Sequence, residues 1–168
     1  MRQDIIEKIK KVKLLILDVD GVLTEGSIIY DDKGRELKVF NVKDGLGIFL
    51  LTKMGLDVVI LSAKNSKVVK RRAKDMGIKD IFWGYPKEEV LSKILQKYKV
   101  TKEETAFLGD DLIDVEVAKR VGVSFAVADA AKELKEVVDL VTKHRGGKGA
   151  VREVAEVIME AKGLGKSS

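Results

Sequence analysis

The sequence predicts an α/β fold in three layers, with a parallel β-sheet held between two sets of helices. Three observations carry that expectation. Short apolar runs alternate with segments of helical period along nearly the whole chain. Runs such as Leu14-Leu15-Ile16-Leu17 and Val58-Val59-Ile60-Leu61 are apolar at every position, as strands buried on both faces are. The connections between them are short and punctuated by glycine, and 168 residues suit one domain with a sizeable core.

The elements follow in order. Residues 3–11 read as an amphipathic opening helix, and Leu14–Leu17 as the first strand. Residues 27–30 and 36–40 flank the turn Asp31-Asp32-Lys33-Gly34 and predict a β-hairpin. This insert, spanning about 25–41, is too short to be a cap domain. A helix over 46–54 stops at Gly55, a strand covers 58–61, and a basic helix over 66–76 stops at Gly77. A strand follows at 80–83. Pro86, the only proline, suits the first turn of a helix running to about 98. Thr101 and Glu104 have capping-box spacing. Strand 105–108, helix 112–121, strand 124–127, helix 132–137, strand 140–141 and a helix from 149 complete the chain, before a polar tail over 163–168 that is expected to fray. Such alternation implies right-handed crossovers and a Rossmann-like parallel sheet, whose ligands sit beyond the carboxyl ends of the strands.

Composition narrows the chemistry. The chain has no cysteine and one histidine, His144, which excludes a disulfide framework, a thiolate nucleophile and multi-histidine metal sites. Carboxylates and lysines are left to carry any reaction. No apolar stretch approaches the ~20 residues of a membrane span, and no signal-peptide pattern opens the chain, so a cytoplasmic protein is expected. Net charge is +5 with interspersed signs; aromatic residues are 5% and form no stacking series, which argues against nucleic acid and leaves room for an anionic substrate.

Two acidic segments hold the chemistry. Asp18-Val19-Asp20-Gly21-Val22-Leu23-Thr24 follows the first strand, with a glycine where backbone must approach a ligand. Leu108-Gly109-Asp110-Asp111-Leu112-Ile113-Asp114 crowds further carboxylates onto a strand-to-helix turn. Brought together, these acids repel unless a cation is bound, and an all-oxygen donor set favours Mg²⁺. Ser62 ends a strand, and Lys87 stands at a helix start where the dipole disfavours a cation.

The first segment resembles the DxDGxxT nucleophile motif of the haloacid dehalogenase superfamily. That resemblance implies Asp18 as nucleophile, Asp20 as acid and base, Ser62 and Lys87 as the phosphoryl clamp, and Mg²⁺ held by Asp18, the Asp20 carbonyl and Asp110. Asp111 is expected to hold a metal-bound water or to orient Lys87. Two further segments, Phe40-Asn41-Val42-Lys43-Asp44-Gly45-Leu46-Gly47-Ile48 and Arg145-Gly146-Gly147-Lys148-Gly149, are similar to those of the capless 3-deoxy-D-manno-octulosonate 8-phosphate phosphatases, enzymes of lipopolysaccharide precursor synthesis. The implied substrate contacts are Asp20, Asn41, Val42, Lys43, Asp44, Gly45, Lys64, Arg72, Lys87, Arg145, Gly146 and Gly147. The chain departs from the pattern at Ser62-Ala63-Lys64, where Thr-Gly-Arg is common, and at Phe49, where a basic residue often stands.

The resemblance also implies a homotetramer built on the hairpins, with a neighbour's 145–149 segment closing each site. On that expectation, truncation before Arg145 weakens substrate handling more than core folding. The rivals are a phosphatase for another acid-sugar phosphate or a nucleic-acid 3′-phosphate, and a non-catalytic oligomeric binding module.

Overall fold

The computed structural model describes residues 1–164. Its centre is β1 (Leu14–Leu17), every residue of which is buried. β1 lies between β4 (Asp57–Ser62) and β6 (Thr105–Gly109), pairing parallel with both. The sheet continues through β5 (Ile81–Trp83) on one side and β7 (Val123–Ala126) and β8 (Leu140–Val141) on the other, in the order β5-β4-β1-β6-β7-β8, all parallel. The all-apolar runs are explained by this arrangement: central parallel strands have helices over both faces.

One helical layer joins α1 (Gln3–Lys10), α2 (Val42–Lys53) and α7 (Ala150–Ala161). The other joins α4 (Lys87–Tyr98), α5 (Val115–Ala118) and α6 (Lys132–Lys135). α3 (Lys67–Asp75) is capped by Ser66, whose hydroxyl accepts from the Val69 amide. α7 presents Val151, Val154, Ala155 and Ile158 to the core. Removing everything from Arg145 onward would therefore strip a core helix, which overturns the expectation that such a truncation spares the fold.

Three local readings change. α2 begins at Val42, one turn earlier than expected, with the Asn41 side chain accepting from the Lys43 amide at 2.8 Å. Gly45 and Gly47 hide this turn in the sequence, yet both serve packing: a Cβ at Gly47 would press on Arg152 and Ala155 of α7, and one at Gly45 on the Arg72 guanidinium. The predicted helix over 112–121 divides into a 3-10 turn, Leu112–Asp114, and the short α5. At Thr101 and Glu104 the Thr101 amide donates to Glu104, but this closes a turn before β6 rather than opening a helix.

The hairpin forms as a separate two-stranded sheet, β2 (Ile29–Tyr30) with β3 (Glu36–Leu37), shorter than expected. Asp31 closes its turn, accepting from the Lys33 and Arg35 amides and the Arg35 guanidinium. Of the expected tail, Gly163 and Leu164 end α7, their amides donating hydrogen bonds to the Glu160 and Met159 carbonyls. Residues 165–168 lie outside the described residues.

Candidate active site

The carboxyl ends of the three central strands converge. Asp18 follows β1, Ser62 ends β4 and Asp110 follows β6. Asp18, Asp20, Ser62, Lys64, Asp110 and Asp111 line a single cleft there, together with Gly26, Ala63 and Ile113.

Behind Asp18 lies a buried charge chain. Lys87 has no exposed surface, and its Nζ lies 2.8 Å from Asp18 Oδ1 and 2.7 Å from Asp114 Oδ1. The other Asp114 oxygen accepts from the Asp110 amide at 2.9 Å and the Asp111 amide at 3.3 Å. Asp114 therefore orients Lys87 and shapes the acidic turn at once. The alternative that Asp111 orients Lys87 is overturned: Asp111 accepts from the Leu112 amide and opens the 3-10 turn. Lys87 itself does not line the cleft, so its reach toward a substrate runs through Asp18.

Electrostatics follow from crowding. Burial, then the Asp114 charge, pushes the Asp18 carboxyl up to about 6, although Lys87 opposes the shift. Burial, then Asp18, pushes Asp110 up to about 9. Burial disfavours the Lys87 ammonium, but Asp18 and Asp114 outweigh it and hold its pKa above the ordinary lysine value. Carboxylate oxygens of Asp18, Asp110 and Asp114 lie within 4.8 Å of one another. Asp114 spends both oxygens on Lys87 and the two amides. Asp18 and Asp110 retain donor capacity toward the cleft, and the Asp20 carbonyl accepts no backbone hydrogen bond among the described residues. Hard oxygen donors around uncompensated negative charge fit a Mg²⁺-sized cation.

The loop after β1 is clamped by close approaches. Gly21 adopts φ +83°, and a Cβ there would occupy the space of the Asp110 carboxylate. The Thr24 hydroxyl accepts from the Gly21 and Gly26 amides, which explains the threonine that ends the motif. Gly146 and Gly147 lie against this loop in the same chain: a Cβ at Gly146 would meet the Gly21 carbonyl, and one at Gly147 the Thr24 backbone. The Gly147 amide donates to the Val22 carbonyl, while Asp129 holds the Gly146 amide and the Arg145 guanidinium. The glycine pair is thus a brace for its own chain's nucleophile loop.

Several expected substrate contacts lie outside the cleft lining. Asp44 is buried and accepts from the Arg152 amide at 3.0 Å, with Gly149 and Val151 amides also directed to it. It caps α7 from α2, a role that Gly149 cannot fill. Arg72 donates to the Asn41 carbonyl and stacks over the Phe40 ring, tying α3 to the start of α2. Val42 and Lys43 are exposed on the first turn of α2, beside Gly45. Lys64 does line the cleft, 3.7 Å from Glu36. Sequence reasoning missed Lys38, whose Nζ lies 2.6 Å from Asp20 Oδ1.

Comparison with known proteins agrees with this geometry. Residues 63–154 match the family described as haloacid dehalogenase-like hydrolase. The 3-deoxy-D-manno-octulosonate 8-phosphate phosphatase KdsC of Haemophilus influenzae is 43% identical over 158 residues, covering 94% of this chain and 88% of that protein. The chain belongs to the haloacid dehalogenase-like hydrolases, in the 3-deoxy-D-manno-octulosonate 8-phosphate phosphatase family. Among solved structures of this family, the Yersinia pestis enzyme superposes with a TM-score of 0.96 at 39% identity, covering 99% of this chain and 91% of that one. The Moraxella catarrhalis phosphatase, in complex with magnesium ion, phosphate ion and KDO, gives 0.95 at 37% identity over 98% and 95%. Membership makes the α/β sheet the haloacid dehalogenase-like fold and the cleft that of a phosphatase acting on a phosphate monoester.

Proposed function

We propose that the chain is a Mg²⁺-dependent phosphatase that hydrolyses 3-deoxy-D-manno-octulosonate 8-phosphate through an aspartyl-phosphate on Asp18. The observation that carries this reading is the buried Asp18–Lys87–Asp114 chain beside Asp110 at the floor of the cleft. Lys87 and Asp114 fix one Asp18 oxygen, so the other is the one directed at phosphorus. It forms the new bond as the phosphorus–sugar oxygen bond breaks, and the Asp20 carboxyl gives its proton to the departing oxygen. In the second half, the Asp20 carboxylate takes a proton from water while the water oxygen bonds to phosphorus and the Asp18–phosphorus bond breaks. Asp18, Asp110 and the Asp20 carbonyl would hold Mg²⁺, which when bound supplies the charge neutralisation that lets two anions meet. Ser62 faces the same space and donates to the transferring group.

Lys64 is the cation of the cleft wall placed for a sugar carboxylate, as a point charge rather than a bidentate grip. Asn41, Val42 and Lys43 continue from the exposed hairpin and would meet substrate only in an assembly. A homotetramer is part of the proposal. Ile28, Tyr30, Leu37 and Val39 on the hairpin and Val42, Leu46 and Phe49 on α2 are all exposed apolar side chains, a surface that calls for cover. A cytoplasmic location belongs to it too: the sequence has no cysteine and so needs no oxidising compartment, and no helix among the described residues is long and apolar enough to cross a membrane.

The test is kcat/KM across a panel of acid-sugar phosphates, simple sugar phosphates and a nucleic-acid 3′-phosphate, with Mg²⁺. The octulosonate ester should rank first. Another acid-sugar phosphate in first place would move the substrate, and no phosphate release from any would favour a binding module.

A further inference from the structure

The second arm of the hairpin, β3 and the two residues after it, is built inside out. Leu37 and Val39 are exposed, whereas Glu36 and Lys38 on the alternate face turn toward the cleft, as a period of two requires. The Lys38 side chain is 5% exposed, and its ammonium sits between Asp20 Oδ1 at 2.6 Å and Glu36 Oε1 at 3.1 Å. Glu36 is fixed in turn by the Ser66 hydroxyl at 2.9 Å, at the cap of α3. A surface lysine gains nothing from such burial. This one spans 18 residues of sequence to pin a single oxygen of the side chain that must move the proton.

We propose that Lys38 is the positioning residue for Asp20: braced by Glu36 and Ser66, it holds the Asp20 carboxyl in the rotamer that reaches the leaving oxygen. The inference rests on the phosphatase reading above. It makes the hairpin part of the proton-transfer machinery as well as an exposed surface. Because Leu37 and Val39 alternate with Glu36 and Lys38 along the same segment, whatever covers the apolar face also steadies the relay.

The experiment is the dependence of kcat/KM on leaving-group basicity, measured with Mg²⁺ on a sugar phosphate, phenyl phosphate and p-nitrophenyl phosphate. kcat/KM reports the steps through the first irreversible one, and a nitrophenolate leaves without a proton whereas a sugar alkoxide does not. General acid catalysis is worth ~10²–10⁴-fold, so a displaced Asp20 should cost Lys38→Met at least about tenfold on the sugar phosphate. On p-nitrophenyl phosphate its loss should stay below about threefold, following the pattern of Asp20→Asn. Lys38→Arg, which keeps the cation, should recover most of the loss. Circular dichroism melting within a few degrees of wild type excludes unfolding, and hydrogen exchange over 36–40 reads the hairpin directly. Equal losses on all three substrates would make Lys38 a cation for the phosphoryl group or for folding, and no loss would make the ion pair idle; either overturns the proposal while the phosphatase reading stands. A wild-type enzyme inert on every ester overturns both.

Discussion

Asp18→Asn should make the metal-free protein more stable while removing its activity. In the folded chain Asp18 titrates near 6, against 3.8 for a free aspartate. The folded state holds that proton more tightly than the unfolded chain, so stability falls as pH rises from about 4 through 6 and the loss is complete above. At pH 8 ionised Asp18 costs the fold about 3 kcal/mol; at pH 4, close to the free aspartate value, most of that cost is gone. An uncharged amide of the same shape escapes this cost and still accepts from Lys87. The variant should therefore be about 3 kcal/mol more stable at pH 8 in chelator, or about 6–12 °C in Tm for a chain of this size. Its advantage should shrink toward zero at pH 4, and phosphate release should vanish because an amide is no nucleophile. The assay is urea unfolding followed by circular dichroism at several pH values, beside a phosphate-release assay with Mg²⁺. A variant less stable than wild type at pH 8, or an advantage unchanged at pH 4, would refute the electrostatic reasoning.

Three further outcomes follow. Lys87→Met strands two buried carboxylates, so urea unfolding near neutral pH should show a loss of about 3–5 kcal/mol, smaller at pH 5 where Asp18 protonates. Chelation should stop turnover and Mg²⁺ restore it, with Ca²⁺ a poor substitute because its longer, looser coordination misplaces the nucleophile; full activity in excess chelator would contradict this. Gly146→Ala drives a methyl group into the Gly21 carbonyl, so it should lower kcat well over tenfold and reduce stability, whereas the same change at Gly77, which strains a positive φ but meets no atom within 4 Å, should leave kcat alone.

Most of the sheet and the two acidic turns were legible because their signals are local. Leu14–Leu17 is apolar throughout, and Asp18, Ser62 and Asp110 each stand directly after or at the end of such a run. The start of α2 was illegible because Gly45 and Gly47 lower helix propensity, and their value lies in contacts with Arg72 and α7 that no local pattern reports. Asp44 was assigned to substrate on resemblance, yet its partners are the amides opening α7, more than a hundred residues later. In the sequence Asp114 is one more carboxylate on the crowded turn, and only the fold reveals that one of its oxygens holds Lys87 while the other holds the Asp110 and Asp111 amides. Lys38 left a faint trace: Glu36-Leu37-Lys38-Val39 alternates charged and apolar residues, which indicates two faces but not which one meets the cleft.

The central claim is that phosphorus bonds to Asp18. Mixing the enzyme and Mg²⁺ with radiolabelled octulosonate phosphate, quenching in acid within the first turnover and mapping the labelled peptide tests it directly. An acyl phosphate on the peptide containing Asp18, absent from Asp18→Asn and accumulating in variants with a slowed second step, is the predicted result. Label on Asp20, Asp110 or any other residue, or turnover with inversion of configuration at phosphorus and no labelled protein, would contradict the account.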